Sequence, residues 1–155
     1  MLVPEKYRIN FTHTKKDFAD KTYSGFKKSD VNREFTKAIK KGSLENTNSW
    51  SIEIVLSGYI EQYWKKVITI VSKDINIHNV SLPIYLWNVW SNYNMLNESK
   101  IDIFEMRNYN EIRNSISSLS TILCLSNKKQ LPKLPKMSKE QMGVIHDKSK
   151  MLSRD

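Results

Sequence analysis

An all-α fold, a small irregular helical bundle of about five helices built from antiparallel hairpins, is what this 155-residue sequence predicts. Three observations carry that expectation. Apolar residues recur three and four apart through most of the stretch from Val31 to Leu123. Glycine is scarce, and Gly42 and Gly58 stand where helices should stop. The one segment with alternating character, 101–106, has no second segment to pair with as a strand.

Residues 1–26 are polar and aromatic without clear period and read as an extended arm that Tyr7, Phe11, Phe18 and Tyr23 would anchor. A first helix follows, capped by Ser29, with Val31, Phe35, Ala38 and Ile39 at helical spacing and Gly42 at its left-handed end. Ser43 is the expected cap of a second helix through Leu56, with Trp50 and Ile54 four apart and Gly58 closing it. The short Gly58-Tyr59 turn then makes the third helix, 60–73, an antiparallel neighbour with Ile60, Trp64, Val67, Ile68 and Val71 on its inner face.

Ser81-Leu82-Pro83 starts a fourth helix through Tyr93, since proline is tolerated in a first turn, and Trp87 and Trp90 are expected on its buried side. Residues 101–106 read as a strand or a linker, the linker being favoured. Asn110 caps a fifth helix carrying Ile112, Ile116, Leu119 and Leu123. Residues 127–155 form a basic tail in which Pro132 and Pro135 favour an extended connector, and Ser138-Lys139-Glu140-Gln141 matches a capping box for a short terminal helix. The expected organisation is thus an arm (1–26), a helical domain (27–126) and a basic linker with a terminal helix (127–155).

Lys and Arg total 25 against 16 acidic residues, a formal charge of +9 that attracts polyanions whether or not contact is specific. A coding sequence rich in A and T would raise Lys, Asn and Ile together, and this chain is rich in all three. The single cysteine, Cys124, excludes an intrachain disulfide framework and reads as an inert core thiol in a reducing compartment. No apolar run has the length of a signal peptide's core or of a membrane span. Neither secretion nor membrane insertion is therefore expected.

Motifs for chemistry are sparse. His13, His78 and His146 are scattered, and the glycines are isolated rather than clustered beside a lysine, so neither a metal, nor a nucleotide, nor any other cofactor is expected. Glu53 with Glu61, or Asp74 with Glu61, would be the carboxylate pairs for acid–base work, but solvated helix charges explain them as well. Ser24-Gly25 and Ser57-Gly58 lack the flanks and histidine base of a nucleophile turn. No enzyme and no small-molecule substrate is expected. The tryptophans at helical spacing read as core rather than as base-stacking platforms. Tyr7, Phe11, Phe18 and Tyr23 among Lys15, Lys16 and Lys21 form either an exposed aromatic and basic strip or a packed arm.

The sharpest lead for binding is the first helix. Opposite its apolar stripe gather Arg33, Lys37, Lys40 and Lys41, with Lys27 and Lys28 just upstream. Phosphate contact by these side chains would position a backbone without reading sequence, and a solvated helix face is the alternative.

Through Tyr23-Ser24-Gly25-Phe26, Trp50-Ser51, Ser57-Gly58 and Leu82-Pro83, and again over 107–126, the chain resembles uncharacterised proteins encoded by large nucleocytoplasmic DNA viruses. Phe35, Ala38, Trp50, Gly58 and Ser72-Lys73-Asp74-Ile75 are in turn similar to the helical region after the ATPase core of clamp-loader-like AAA+ proteins of the replication-associated ATPase A type. Lys73 stands where that family has an acidic residue, its paired arginines are absent, and so is the ATPase core. The resemblance implies a helical oligomerisation or scaffold unit linked to replication machinery, located in the host-cell cytoplasm or nucleus or in the virion. The expected function is a non-catalytic viral interaction module that binds nucleic acid or replication proteins through its basic helix face. Its partners would be DNA through non-specific phosphate contact, viral proteins or a second copy of itself. The alternative is a minor capsid or internal virion protein whose termini tie neighbouring subunits together.

Overall fold

The computed structural model describes residues 1–10, 12–75 and 79–129. Over these the chain is all-helical: α1 (Lys28–Lys41), α2 (Leu44–Leu56), α3 (Ile60–Ile70), α4 (Leu82–Glu98), α5 (Ile103–Met106) and α6 (Asn110–Leu125). Phe11 and the expected terminal helix at 138–141 lie outside the described residues.

The two helix-stopping glycines do what their positions require. Gly42 sits at φ 70°, so that its N–H reaches the Ile39 carbonyl while Ser43 N–H reaches that of Ala38. Gly58, at φ 74°, repeats the arrangement at the end of α2, with Gly58 N–H to Val55 and Tyr59 N–H to Ile54. The chain reversals take two residues (42–43) and three residues (57–59), which folds α2 against α1 and α3 against α2. Val31, Phe35, Ala38 and Ile39 are all buried, as their spacing predicts.

The packing of α2 on α6 is close because the facing residues are small. Thr47, Ser51, Ser120 and Cys124 are buried there, and their polar atoms meet one another: Ser120 Oγ donates to Ser51 Oγ at 3.2 Å and Cys124 Sγ to Thr47 Oγ1 at 3.0 Å. Tyr63 adds a hydroxyl reaching the Ile116 carbonyl at 3.4 Å. A buried polar group costs stability unless it is paired, so this seam is tolerated because its members satisfy each other.

Several expectations are corrected. The first helix begins at Lys28, with Lys27 in extended conformation at the cap position and Ser29 already inside the first turn. The third helix runs straight into a wider π turn, Val71–Ile75, that buries Val71, Asp74 and Ile75. Ile68 is half exposed, and Tyr63 and Ile70 take the inner positions instead. Residues 101–106 are neither strand nor plain linker. Asp102 accepts a hydrogen bond from Phe104 N–H at 2.8 Å and caps the single turn of α5, which turns Phe104 and Met106 inward.

On α4 the buried residues are Leu82, Leu86, Val89 and Tyr93, and the helix runs on to Glu98 because Leu96 still packs on the core. Trp87 is 64% exposed and lies over Trp90, ring centroids 5.4 Å apart. The backbone of α4 stands further from its neighbours than those of α1, α2 and α6 do, and large side chains such as Trp64 and Tyr93, 6.0 Å apart, bridge the distance.

The arm lies on its own domain. Val3 and Phe18 are its buried apolar residues, whereas Tyr7 is well exposed and Tyr23 partly so, which narrows the expected anchors to Phe18 among the described ones. Val3 N–H donates to Asn108 O at 2.8 Å, Ile9 and Asn108 exchange two hydrogen bonds, and Arg113 holds the Tyr7 carbonyl at 3.0 Å. At the other end of the arm, Tyr23 N–H donates to Ser57 Oγ at 2.8 Å, and both Ser24 N–H and Ser24 Oγ donate to the Glu53 carboxylate at 2.7 Å.

Candidate functional site

Two surfaces stand out, one cationic and one apolar. The cationic one is built on α1. Arg33, Lys37, Lys40 and Lys41 project along one side over about 12 Å of helix axis, and Lys66, on α3, joins them across an open depression also lined by Asn32 and Thr36. Among the described residues no carboxylate lines that depression. Lys66 was missed in the sequence because it belongs to another helix. Its place in the cluster follows from the packing of α3 on α1, which the pattern of neither helix alone shows.

Around the rim the charge is partly answered. Arg33 meets Asp30 at 3.1 Å and Glu34 at 3.5 Å, and Lys37 meets Glu34 at 3.4 Å. These side chains are largely exposed, so each pair contributes about 0–1 kcal/mol and leaves the cation available to a denser anion. Lys40 is different: it meets Asp74, whose side chain is only 8% exposed, at 3.4 Å. Removing Lys40 would leave a buried carboxylate without its counter-charge, so Lys40 has a structural task as well. Among the described residues, neither Lys41 nor Lys66 has a carboxylate within ion-pair distance.

The two upstream candidates do not join the cluster. Lys28 Nζ lies 3.8 Å above the centre of the Tyr59 ring and borders a different hollow near Gly58 and Phe104. Lys27 is exposed at the cap of α1.

The apolar surface is a groove of about 550 Å³ between α3 and α4, walled by Trp64, Ile68, Val71, Pro83, Trp87 and Trp90. It exists because α4 is held off by large side chains. Trp64 conforms to the expected core position, Trp50 is half-buried edge-on to Phe26 at 5.4 Å, and Trp87 and Trp90 form the groove's rim.

Of the carboxylates and serines weighed for catalysis, Glu53, Asp74, Ser24 and Ser57 are engaged in holding the fold, whereas Glu61 is exposed on α3. Glu53 receives Ser24, Asp74 receives Lys40, and Ser57 Oγ donates to Glu53 O at 2.7 Å while accepting from Tyr23. Among the described residues no three histidines, cysteines or carboxylates gather as metal ligands would, and no helix is long and apolar enough to cross a membrane. No family model, curated protein or solved structure matches this chain.

Proposed function

We propose that this chain is a non-catalytic helical binding module that holds a polyanion, in the first place a nucleic-acid backbone, on the α1–α3 face. The observation supporting the reading is the depression into which two helices direct five cations, with amide and hydroxyl groups between them and, among the described residues, no carboxylate in its lining. Lysine and arginine neutralise phosphates while asparagine and threonine donate to them, contacts that position a backbone without carrying sequence information. The link to viral replication proteins rests on the sequence resemblance. The virion-component alternative rests on free termini, and the arm makes its hydrogen bonds to α2, to α6 and to the segment between α5 and α6 of its own chain, so the cationic face is the preferred reading.

The test is a titration against labelled single- and double-stranded DNA across a salt series. Three to five neutralised phosphates give a log–log slope of roughly −3 to −4 on duplex. The variant to compare carries Lys37→Glu, Lys41→Glu and Lys66→Glu, which spares Lys40 and the buried Asp74. Its slope should flatten by about 2–3, one unit per lost phosphate contact. Absence of binding at low salt, or an unchanged slope in the variant, would reject the proposal.

A further inference from the structure

We propose that the apolar groove between α3 and α4 is the seat of residues 131–136 of this same chain, a ligand of the amphipathic polyproline type. The groove is lined by indole faces, a proline and aliphatic side chains, the surface that receives proline-rich segments elsewhere in protein recognition. Trp87 and Ile68 are 64% and 50% exposed there, an apolar opening that water covers poorly.

The occupant is identified by sequence and by where the described chain leads. Residues 131–136 read Leu-Pro-Lys twice over. A polyproline helix has three residues per turn, so Leu131 and Leu134 share one edge, Pro132 and Pro135 a second, and Lys133 and Lys136 the third. Two edges are apolar and fit a groove, and the lysine edge is left to water.

The route is short. After α6 the backbone is extended at Ser126, Lys128 Nζ donates to the Cys124 and Ser126 carbonyls, and Lys129 N–H donates to the Asp74 carbonyl at 2.8 Å. Asp74 belongs to the π turn whose Val71 also walls the groove. The chain is thus tied down three residues along that element from the groove wall, and Leu131 is two residues beyond the tie, a reach of about 6–7 Å. Six residues of polyproline helix span roughly 19 Å, whereas the wall from Trp64 to Val71 covers about 11 Å of helix. A six-residue polyproline segment leaving the Lys129 tie would be long enough to fill the groove.

The experiment compares the full chain with two variants, one carrying Leu131→Ser and Leu134→Ser, the other Pro132→Ala and Pro135→Ala. The readout is the pair of indole N–H signals of Trp87 and Trp90 in ¹⁵N-labelled protein, identified through Trp87→Phe and Trp90→Phe. Both signals should move in both variants. The solvent exchange of the Trp87 indole should rise about tenfold once its cover is lost. A synthetic peptide of residues 129–137, added to the serine variant, should return the signals toward their original positions. Signals unmoved in both variants would overturn the proposal. Wild-type signals that change on dilution, together with a dimer mass in light scattering, would overturn it in favour of a segment donated by a second copy.

Discussion

At the level of the residue, Gly58 shows how local conformation and packing combine. Its φ of 74° already disfavours any side chain, and a Cβ there would stand 2.7 Å from Phe104 Cε1 and 2.9 Å from Cζ. The ring has little room to retreat, since Phe18 lies 5.8 Å away and the Arg107 guanidinium 5.4 Å over its face. Gly58→Ala should therefore cost about 3 kcal/mol, the left-handed strain and the overpacking adding together. Gly25→Ala is the matched control, because its Cβ meets nothing within 4 Å, and should cost only about 1 kcal/mol. Urea unfolding of the two variants measures both, and equal losses would show that the Phe104 contact contributes nothing. Gly58 was legible in the sequence as a helix stop. Its second role was not, because Phe104 is 46 positions away along the chain and was read as part of a linker.

Among the elements, those with a strong 3.6-residue period were legible almost to the residue, α1 and α6 above all, since every apolar position counted there is buried. Where the reading failed, a single residue type had two physical uses. Trp87 was assigned to the core because tryptophan is apolar, yet α4 buries its Leu82–Leu86–Val89–Tyr93 stripe and leaves Trp87 facing out. The arm illustrates the opposite case, a stretch expected to be anchored by aromatic rings and held in good part by hydrogen bonds. The landmarks that stood out in the sequence meet here: Tyr23 and Ser24 bond to Ser57 and Glu53, and Phe26 packs on Trp50. Glu53→Gln keeps the shape of the side chain but turns an N–H₂ toward one of the Ser24 donors. It should destabilise by about 1–2 kcal/mol and lower the hydrogen-exchange protection of the Ser24 amide while α1 amides keep theirs. Unchanged protection at Ser24 would mean that the Glu53 carboxylate does not hold this end of the arm.

For the molecule as a whole, the cationic face was half legible: four of its five cations lie on one helix and were found by period, and the fifth required the fold. Global stability should depend on pH through the core phenols. Burial pushes the Tyr63 hydroxyl above its ordinary range, and burial with the nearby Glu61 charge does the same to Tyr93. Because the folded state keeps the phenol protonated more tightly than the unfolded chain does, the contribution is intact below the ordinary phenol pKa of about 10 and is lost as pH rises beyond it. For Tyr63 the loss amounts to about 1.4 kcal/mol per pH unit. Tyr63→Phe should accordingly flatten the decline between pH 9 and pH 11 in urea titrations, and an identical decline would place the alkaline sensitivity elsewhere. The seam between α2 and α6 bears on the same global equilibrium from another side. Its Cys124 is the chain's one thiol and is buried against Thr47, so a reagent reaches the sulfur only when these two helices part. The protein thus carries an internal clock: the rate at which an alkylating agent consumes Cys124 counts openings of the bundle's centre, with no label having to be added.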